Sequence, residues 1–151
     1  YADKVLKNPK MDDKIKSDAQ IIIARSAIKT NNDAKAKEAY AKLQKIAKGE
    51  LAAEALYYDA YFKNKEAKFE ASNKAVEKYS STYSGYKYFG AKSLVVMAKN
   101  YYGLKDSFQA TEILQSIIDN FTEFPDVVTE CQTELDKIKA EEAKTNSSVT
   151  K

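Results

Sequence analysis

Few residues in this sequence can do chemistry, and their spacing argues against most of it. Acidic pairs stand at Asp12-Asp13 and Glu141-Glu142, and Glu134 lies near Asp136 and Lys137. Two carboxylates that share a substrate must face it together, whereas neighbours on a helix point in different directions. Asp12-Asp13 reads instead as a pair of acids in a first helical turn, where the helix dipole favours them. There is no histidine, and the single cysteine is Cys131. A histidine general base, Ser-His and Cys-His dyads, Cys/His zinc sites and an internal disulfide are therefore excluded. Cys131 falls on an apolar helical stripe and reads as a small buried hydrophobe rather than a reactive thiol. The four glycines are isolated, so no phosphate-cradling loop is present. The chain is expected not to be an enzyme: no catalytic residues, no cofactor and no metal.

What the sequence has instead is tyrosine, eleven of them, with six phenylalanines. Tyr57, Tyr58, Tyr61, Phe62, Tyr79, Tyr83, Tyr86, Tyr88, Phe89, Tyr101 and Tyr102 crowd the middle of the chain. Most are expected in the core, because large rings fill the space between stacked helices. The doublets Tyr57-Tyr58 and Tyr101-Tyr102 must point in two directions, so one member of each is expected inside and the other partly exposed. Tyrosine is a favoured contact residue, offering area and a hydroxyl at low entropic cost.

Charge narrows the partner classes. Lys and Arg number 25 against 22 Asp and Glu, a net +3 spread along the chain, and Arg25 is the only arginine. Readers of nucleic acid rely on arginine forks and a basic footprint, so no nucleic-acid partner is expected. The longest strictly apolar run is Ile21–Ala24, far short of the ~20 residues that span a bilayer. No membrane insertion by this fragment is expected, and no stretch of the given residues reads as a secretory signal, with any targeting segment expected upstream. With 44% hydrophobic and 31% charged residues, the chain is too apolar for disorder. Its 151 residues suit one domain that buries about 68–70% of its unfolded surface.

The elements that position these residues are helices. Ala110, Ile113, Leu114, Ile117, Ile118 and Phe121 make one apolar stripe, and Val127, Val128, Cys131, Leu135 and Ile138 make another after Pro125. The pattern predicts seven helices, at roughly 11–29, 33–48, 51–63, 66–79, 86–102, 106–121 and 126–143, with a break at Asn64-Lys65. Such short links make consecutive helices antiparallel neighbours. The Tyr-rich stretch 83–89 is the one rival for a strand. The chain opens at Tyr1 without Met, and residues 1–10 read as the end of a preceding repeat helix stopped by Pro9. The expectation is therefore a piece of a longer helical array. Residues 11–124 form about three helix pairs and 125–143 a capping helix, and 144–151 are expected to be a disordered tail.

Small residues recur in pairs: Ala27 and Ala39, Ala60 and Ala71, Ala98 and Ala110. The spacings are 12, 11 and 12; the first members lie 33 and 38 apart, the second members 32 and 39. Small residues at two such places let antiparallel helices approach closely. This pattern resembles the tetratricopeptide repeat, a helix-turn-helix unit that stacks into a superhelix. Residues 91–124 match best, through Leu94, Met97, Ala98, Tyr101, Ala110, Leu114, Ile117 and Ile118. The family's tryptophan is absent, and Thr30 stands where an aromatic is usual. Residues 86–121, from Tyr88-Phe89-Gly90-Ala91 through Asp119-Asn120-Phe121, also look like the C-terminal repeats of long proteins of Gram-negative cell envelopes.

The resemblance implies an all-α, TPR-like solenoid in which the first helix of each unit lines a groove. Its groove positions fall on Ile21, Ala24 and Ile28 with Asn31 at the rim, on Tyr57 and Tyr61, and on Lys92, Val95, Lys99 and Tyr102. Tyr57, Tyr61, Lys92, Lys99 and Tyr102 are the candidates for binding a partner, a protein or peptide with an acidic group beside apolar side chains. The implied role is a non-enzymatic binding scaffold of the periplasm or cell envelope. The alternatives are an architectural cap on a superhelix, with binding elsewhere, and a chaperone-like co-factor in envelope assembly.

Overall fold

A computed structural model describes residues 2–7 and 12–149. In chain order the elements are α1 (Ala2–Lys7), α2 (Asp13–Lys29), α3 (Asp33–Ile46), α4 (Gly49–Lys65), α5 (Phe69–Thr82), α6 (Lys87–Gly103), α7 (Ser107–Asn120) and α8 (Pro125–Val149). No strand occurs among the described residues, and the stretch 83–89 leads into α6. Helices α2 to α7 alternate in length: 17, 14, 17, 14, 17 and 14 residues. Each long helix pairs with the short one after it, the pairs stack in chain order, and α8 closes on α7 and α6. The helices are those the periodicity predicts, and their consecutive packing is that of an α-α solenoid, as the resemblance implies.

The links inside each pair are built without a glycine at the turning residue. Each is three residues long with a left-handed middle residue, and those residues are Asn31, Ala67 and Lys105, at φ of 56°, 59° and 68°. The next amide then reaches back five residues: Asn32 to the Ala27 carbonyl at 2.9 Å, Lys68 to Lys63 at 2.9 Å, and Asp106 to Tyr101 at 2.8 Å. That is the Schellman ending, usually built on glycine. The break expected at Asn64-Lys65 lies at 66–68 instead, because Glu, Ala and Lys are good helix formers and disguise it. Side-chain caps then start the following helices, Asn32 accepting from the Lys35 amide at 3.2 Å and Asp106 from the Gln109 amide at 3.1 Å.

The true repeat register is cleaner than the sequence reading. Helix starts at 13, 49 and 87 set periods of 36 and 38 residues. The twelfth residue of each long helix and the fourth of each short one are then Ala24 and Ala36, Ala60 and Ser72, Ala98 and Ala110. All six are at most 1% exposed. The third unit is as expected. The first shifts from Ala27 and Ala39 by three residues, and in the second Ser72 replaces Ala71. Ser72 fits the tight place because its hydroxyl donates to the Ala60 carbonyl at 2.7 Å. Alanine alone could not set the register of the first unit, since Ala27 and Ala39 are buried too.

Three apolar clusters follow the three units, and α8 adds Val127, Cys131, Leu135 and Ile138 to the last of them. Burial pushes the Cys131 thiol up to about 12, so it packs as a hydrophobe. Between the second and third units, fully buried Asn100 donates to Ser72 and to Asn73, both at 2.8 Å, and accepts from Asn64 at 2.8 Å. At the end of α6, a Cβ on Gly103 would stand 2.5 Å from the Phe69 ring, so this close approach requires glycine.

One expectation is corrected at the C-terminus. The segment from residue 144 continues α8 as helix through Val149, with the Thr145 hydroxyl donating to the Glu141 carbonyl at 3.1 Å. The helix stop at Pro9 and residues 150–151 lie outside the described residues.

Enlarging a crossing residue must force the paired helices apart. Ala24→Leu and Ala98→Leu are each expected to lower stability by ~1–3 kcal/mol, read as a drop in the urea midpoint. A midpoint unchanged in both would show that these alanines are not the crossings.

Candidate functional site

The first helices of the units present one shared face. On a helix, positions 6, 10 and 13 fall on one side. In α2 these are Asp18, Ile22 and Arg25; in α4, Glu54, Tyr58 and Tyr61; in α6, Lys92, Val96 and Lys99. A cleft of about 330 Å³ opens on this face, lined by Ile28, Tyr57, Tyr58, Tyr61, Asn64, Lys92, Val96, Lys99 and Glu130. Four helices, α2, α4, α6 and α8, contribute to it. A second depression of about 380 Å³ shares Ile28, Tyr58 and Lys92 and extends toward Arg25, Glu54 and Phe89.

Four of the five candidates from the sequence meet in this cleft, in unequal roles. Tyr61 and Lys92 are half-buried walls. Tyr57 is only 5% exposed, its ring packed against Tyr58 at 4.8 Å and Phe89 at 5.4 Å. It forms the floor and is not the open contact surface the family register implied. Tyr58 takes that place as the half-buried member of the doublet, stacked on Tyr40 at 4.2 Å and 16°. The same one-residue shift applies to Val95, which is buried against α7 and α8 while Val96 lines the cleft. Tyr102 lies outside the cleft, its hydroxyl donating to Glu141 of α8.

The two lysines are also in different states. Lys99 sits 3.7 Å from Glu130 and 4.0 Å from Glu134, so α8 already partners it. The Lys92 ammonium instead lies over aromatic faces, 5.3 Å from the Tyr57 centroid and 5.6 Å from that of Tyr88. The sequence reading made Lys92 a site candidate and counted its ring partner Tyr88 only among the crowded aromatics; the Tyr88 hydroxyl donates to Asp126 at 2.6 Å. That bond holds the Asp126 carboxyl below its usual range.

Arg25 is the residue that sequence reasoning set aside. Its guanidinium forks onto Glu54, with contacts of 2.7 and 3.1 Å, and the Tyr40 hydroxyl donates to the same carboxylate at 2.7 Å. The Glu54 side chain is 3% exposed. A buried carboxylate needs a planar, bidentate donor, which lysine cannot supply. One arginine among so many lysines was the available signal.

No three Cys, Asp or Glu side chains among the described residues are grouped to hold a metal ion. No helix among them is long and apolar enough to cross a membrane. No protein-family model matches the chain, and no curated protein matches it.

Two outcomes test this geometry. Arg25→Ala leaves Glu54 buried with only Tyr40 and is expected to destabilise by about 2 kcal/mol, with Arg25→Lys intermediate; equal stabilities of all three proteins would show that the fork contributes nothing. Alkaline pH tests the tyrosines. Burial raises Tyr79, and the bonds to Asp126 and Glu141 raise Tyr88 and Tyr102, each from 10.0 to about 12. The unfolded chain ionises first, so this stability is fully present below pH 10 and is lost as pH rises toward 12. The Tm is expected to fall across that window, with the buried Cys131 thiol, raised from 9.0 to about 12, starting the decline earlier.

Proposed function

We propose that the chain is a non-enzymatic scaffold of tetratricopeptide type that binds a protein or peptide segment along the face of α2, α4, α6 and α8. The observation that carries this reading is the cleft itself. Rings of Tyr58 and Tyr61, the apolar Val96 and the ring-borne Lys92 come from successive helices onto one surface. Such a surface offers an extended or helical segment both contact area and a point charge, held in place by packed helices rather than loops. The repeat class is supported by the regular pairs of small residues twelve apart and by the alternating helix lengths. The period departs from the family's usual 34 residues or so. The likeness of residues 86–121 to envelope repeat proteins supports a place in the Gram-negative envelope.

The architectural reading has an observation of its own. Glu130, Glu134 and Glu141 of α8 engage Lys99 and Tyr102, which ties the last helix across one end of the face. Under that reading α8 closes the stack and binding lies elsewhere.

A peptide library screened against the whole chain separates the two. Surface lysines contribute only ~0–1 kcal/mol each, so the rings should dominate. For any peptide captured, Tyr61→Ala is expected to weaken binding by ~1–2 kcal/mol and Lys92→Ala by less. Capture that survives both Tyr61→Ala and Val96→Asp undiminished would rule out this cleft. The absence of any captured peptide would favour the architectural reading.

A further inference from the structure

Each long helix turns one face toward the unit before it. That face holds positions 3, 7, 10 and 14, counted from the helix start, which share one side of a helix. In α4 they are Leu51, Ala55, Tyr58 and Phe62, all packed against the cluster of the first unit. In α6 they are Phe89, Ser93, Val96 and Asn100. Phe89 and Val96 join the cluster of the second unit, and Asn100 bonds to Ser72 and Asn73. In α8 Val127, Cys131 and Ile138 stand inside the cluster of the third unit, and the fourth residue, Glu134, faces Lys99. A charge contact repeats beside this face. Position 6 of each of these helices meets position 9 or 13 of the long helix before it. Glu54 takes the Arg25 fork at 2.7 Å, Lys92 lies over the Tyr57 ring at 5.3 Å, and Glu130 stands 3.7 Å from Lys99. Where position 6 is an acid, position 13 of the preceding helix is a cation.

In α2 the same positions are Ile15, Ala19, Ile22 and Ser26, with Asp18 at position 6. Ala19 is buried, but Ile15 is 40% and Ile22 58% exposed, and Ser26 is exposed as well. Val127, the counterpart of Ile15, is 3% exposed, and Val96, the counterpart of Ile22, is 4% exposed. Among the described residues Asp18 meets only Lys14 of its own helix, at 3.3 Å. An exposed pair of that kind leaves the carboxylate open to a better partner. Helix α1 packs on α2 as α3, α5 and α7 pack on the long helices that follow them. It therefore holds the short-helix place of this seam, while the side chains that elsewhere meet the preceding long helix stand uncovered.

We propose that the face of Ile15, Asp18 and Ile22 docks the long helix of one more repeat unit, the unit whose short-helix place α1 holds, and that this helix carries a lysine or arginine at position 13. The three seams within the molecule define the occupant. Two of them match an acid at position 6 with a cation at position 13, and Asp18 is such an acid. Two exposed isoleucines seven residues apart suit an apolar or aromatic side chain at position 9, the part that Tyr57 plays for Phe89 at 5.4 Å. Neither depression on the tyrosine face includes Ile15, Asp18 or Ile22. A failure here therefore leaves the proposed function standing.

The probe is a copy of α4, residues 49–65 with Tyr61→Lys, joined by a flexible Gly-Ser linker to the N-terminus of the full chain, which holds it at about millimolar effective concentration. The copy presents Tyr57 at position 9 and a cation at position 13. Relative to the chain with the linker alone, amide exchange at Ile15, Asp18 and Ile22 is expected to slow by about tenfold. NMR shifts in the host are expected in α1 and α2 only. Ile22→Asp changes an exposed side chain, so the fold is kept, and it is expected to abolish the slowing. Asp18→Lys is expected to cut the slowing by about threefold, and Tyr61→Glu in the tethered copy to restore it by exchanging the two charges. Exchange unchanged by the tether would overturn the proposal. So would equal effects of the Tyr61→Lys and Tyr61→Glu copies on both the unaltered and the Asp18→Lys chain. Self-association of the untethered chain that Ile22→Asp abolishes would assign the face to a second copy and overturn it as well.

Discussion

Everything in this molecule depends on how closely the two helices of a unit approach. At the crossing only a hydrogen, a methyl or a hydroxyl fits between the backbones, which is why Ala24, Ala36, Ala60, Ser72, Ala98 and Ala110 recur at one place in each helix. Close-packed interiors tolerate little change of volume, so these small residues fix the rotation of every helix about its own axis. That rotation in turn decides which side chains face the core and which face the cleft. Tyr40, Val76 and Leu114, four residues beyond each short-helix crossing, are buried as a consequence.

Polar groups then tie one unit to the next. Asn100 spends its amide on Ser72, Asn73 and Asn64, so the second crossing is also the anchor for the third unit. Arg25 and Tyr40 do the same between the first and second units by sharing the Glu54 carboxylate. Apolar stacking is tolerant of sliding, whereas a buried polar network holds only in one register. The solenoid thus combines non-directional burial within units with directional bonds between them.

The cleft inherits its character from the same geometry. Its aromatic walls are core residues that reach the surface, with Tyr57 as floor and Tyr58 and Tyr61 as sides. Its charges are divided between a lysine resting on rings and a lysine already paired with α8. A partner would meet mostly aromatic area, modulated by Lys92.

The sequence by itself determined the helical class, because apolar spacing and small-residue recurrence are properties of one helix face at a time. Tyr57, Tyr61, Lys92 and Lys99, named from two separate helices, line one cleft in the fold. Three matters were left to the tertiary structure. The link at 66–68 was misplaced because its left-handed residue is Ala67 rather than glycine, whereas Asn31 and Lys105 lie in breaks that the pattern marked. The face of each long helix was ambiguous by one residue, since Ile21-Ile22, Tyr57-Tyr58 and Val95-Val96 are doublets of one type. A change of one position turns a side chain by about 100°, so either member satisfied the pattern until packing chose. Arg25 forked on Glu54, and Asn100 bonded to Ser72, Asn73 and Asn64, join residues from different helices. No periodicity within one helix encodes such meetings; only the stacking of the units creates them.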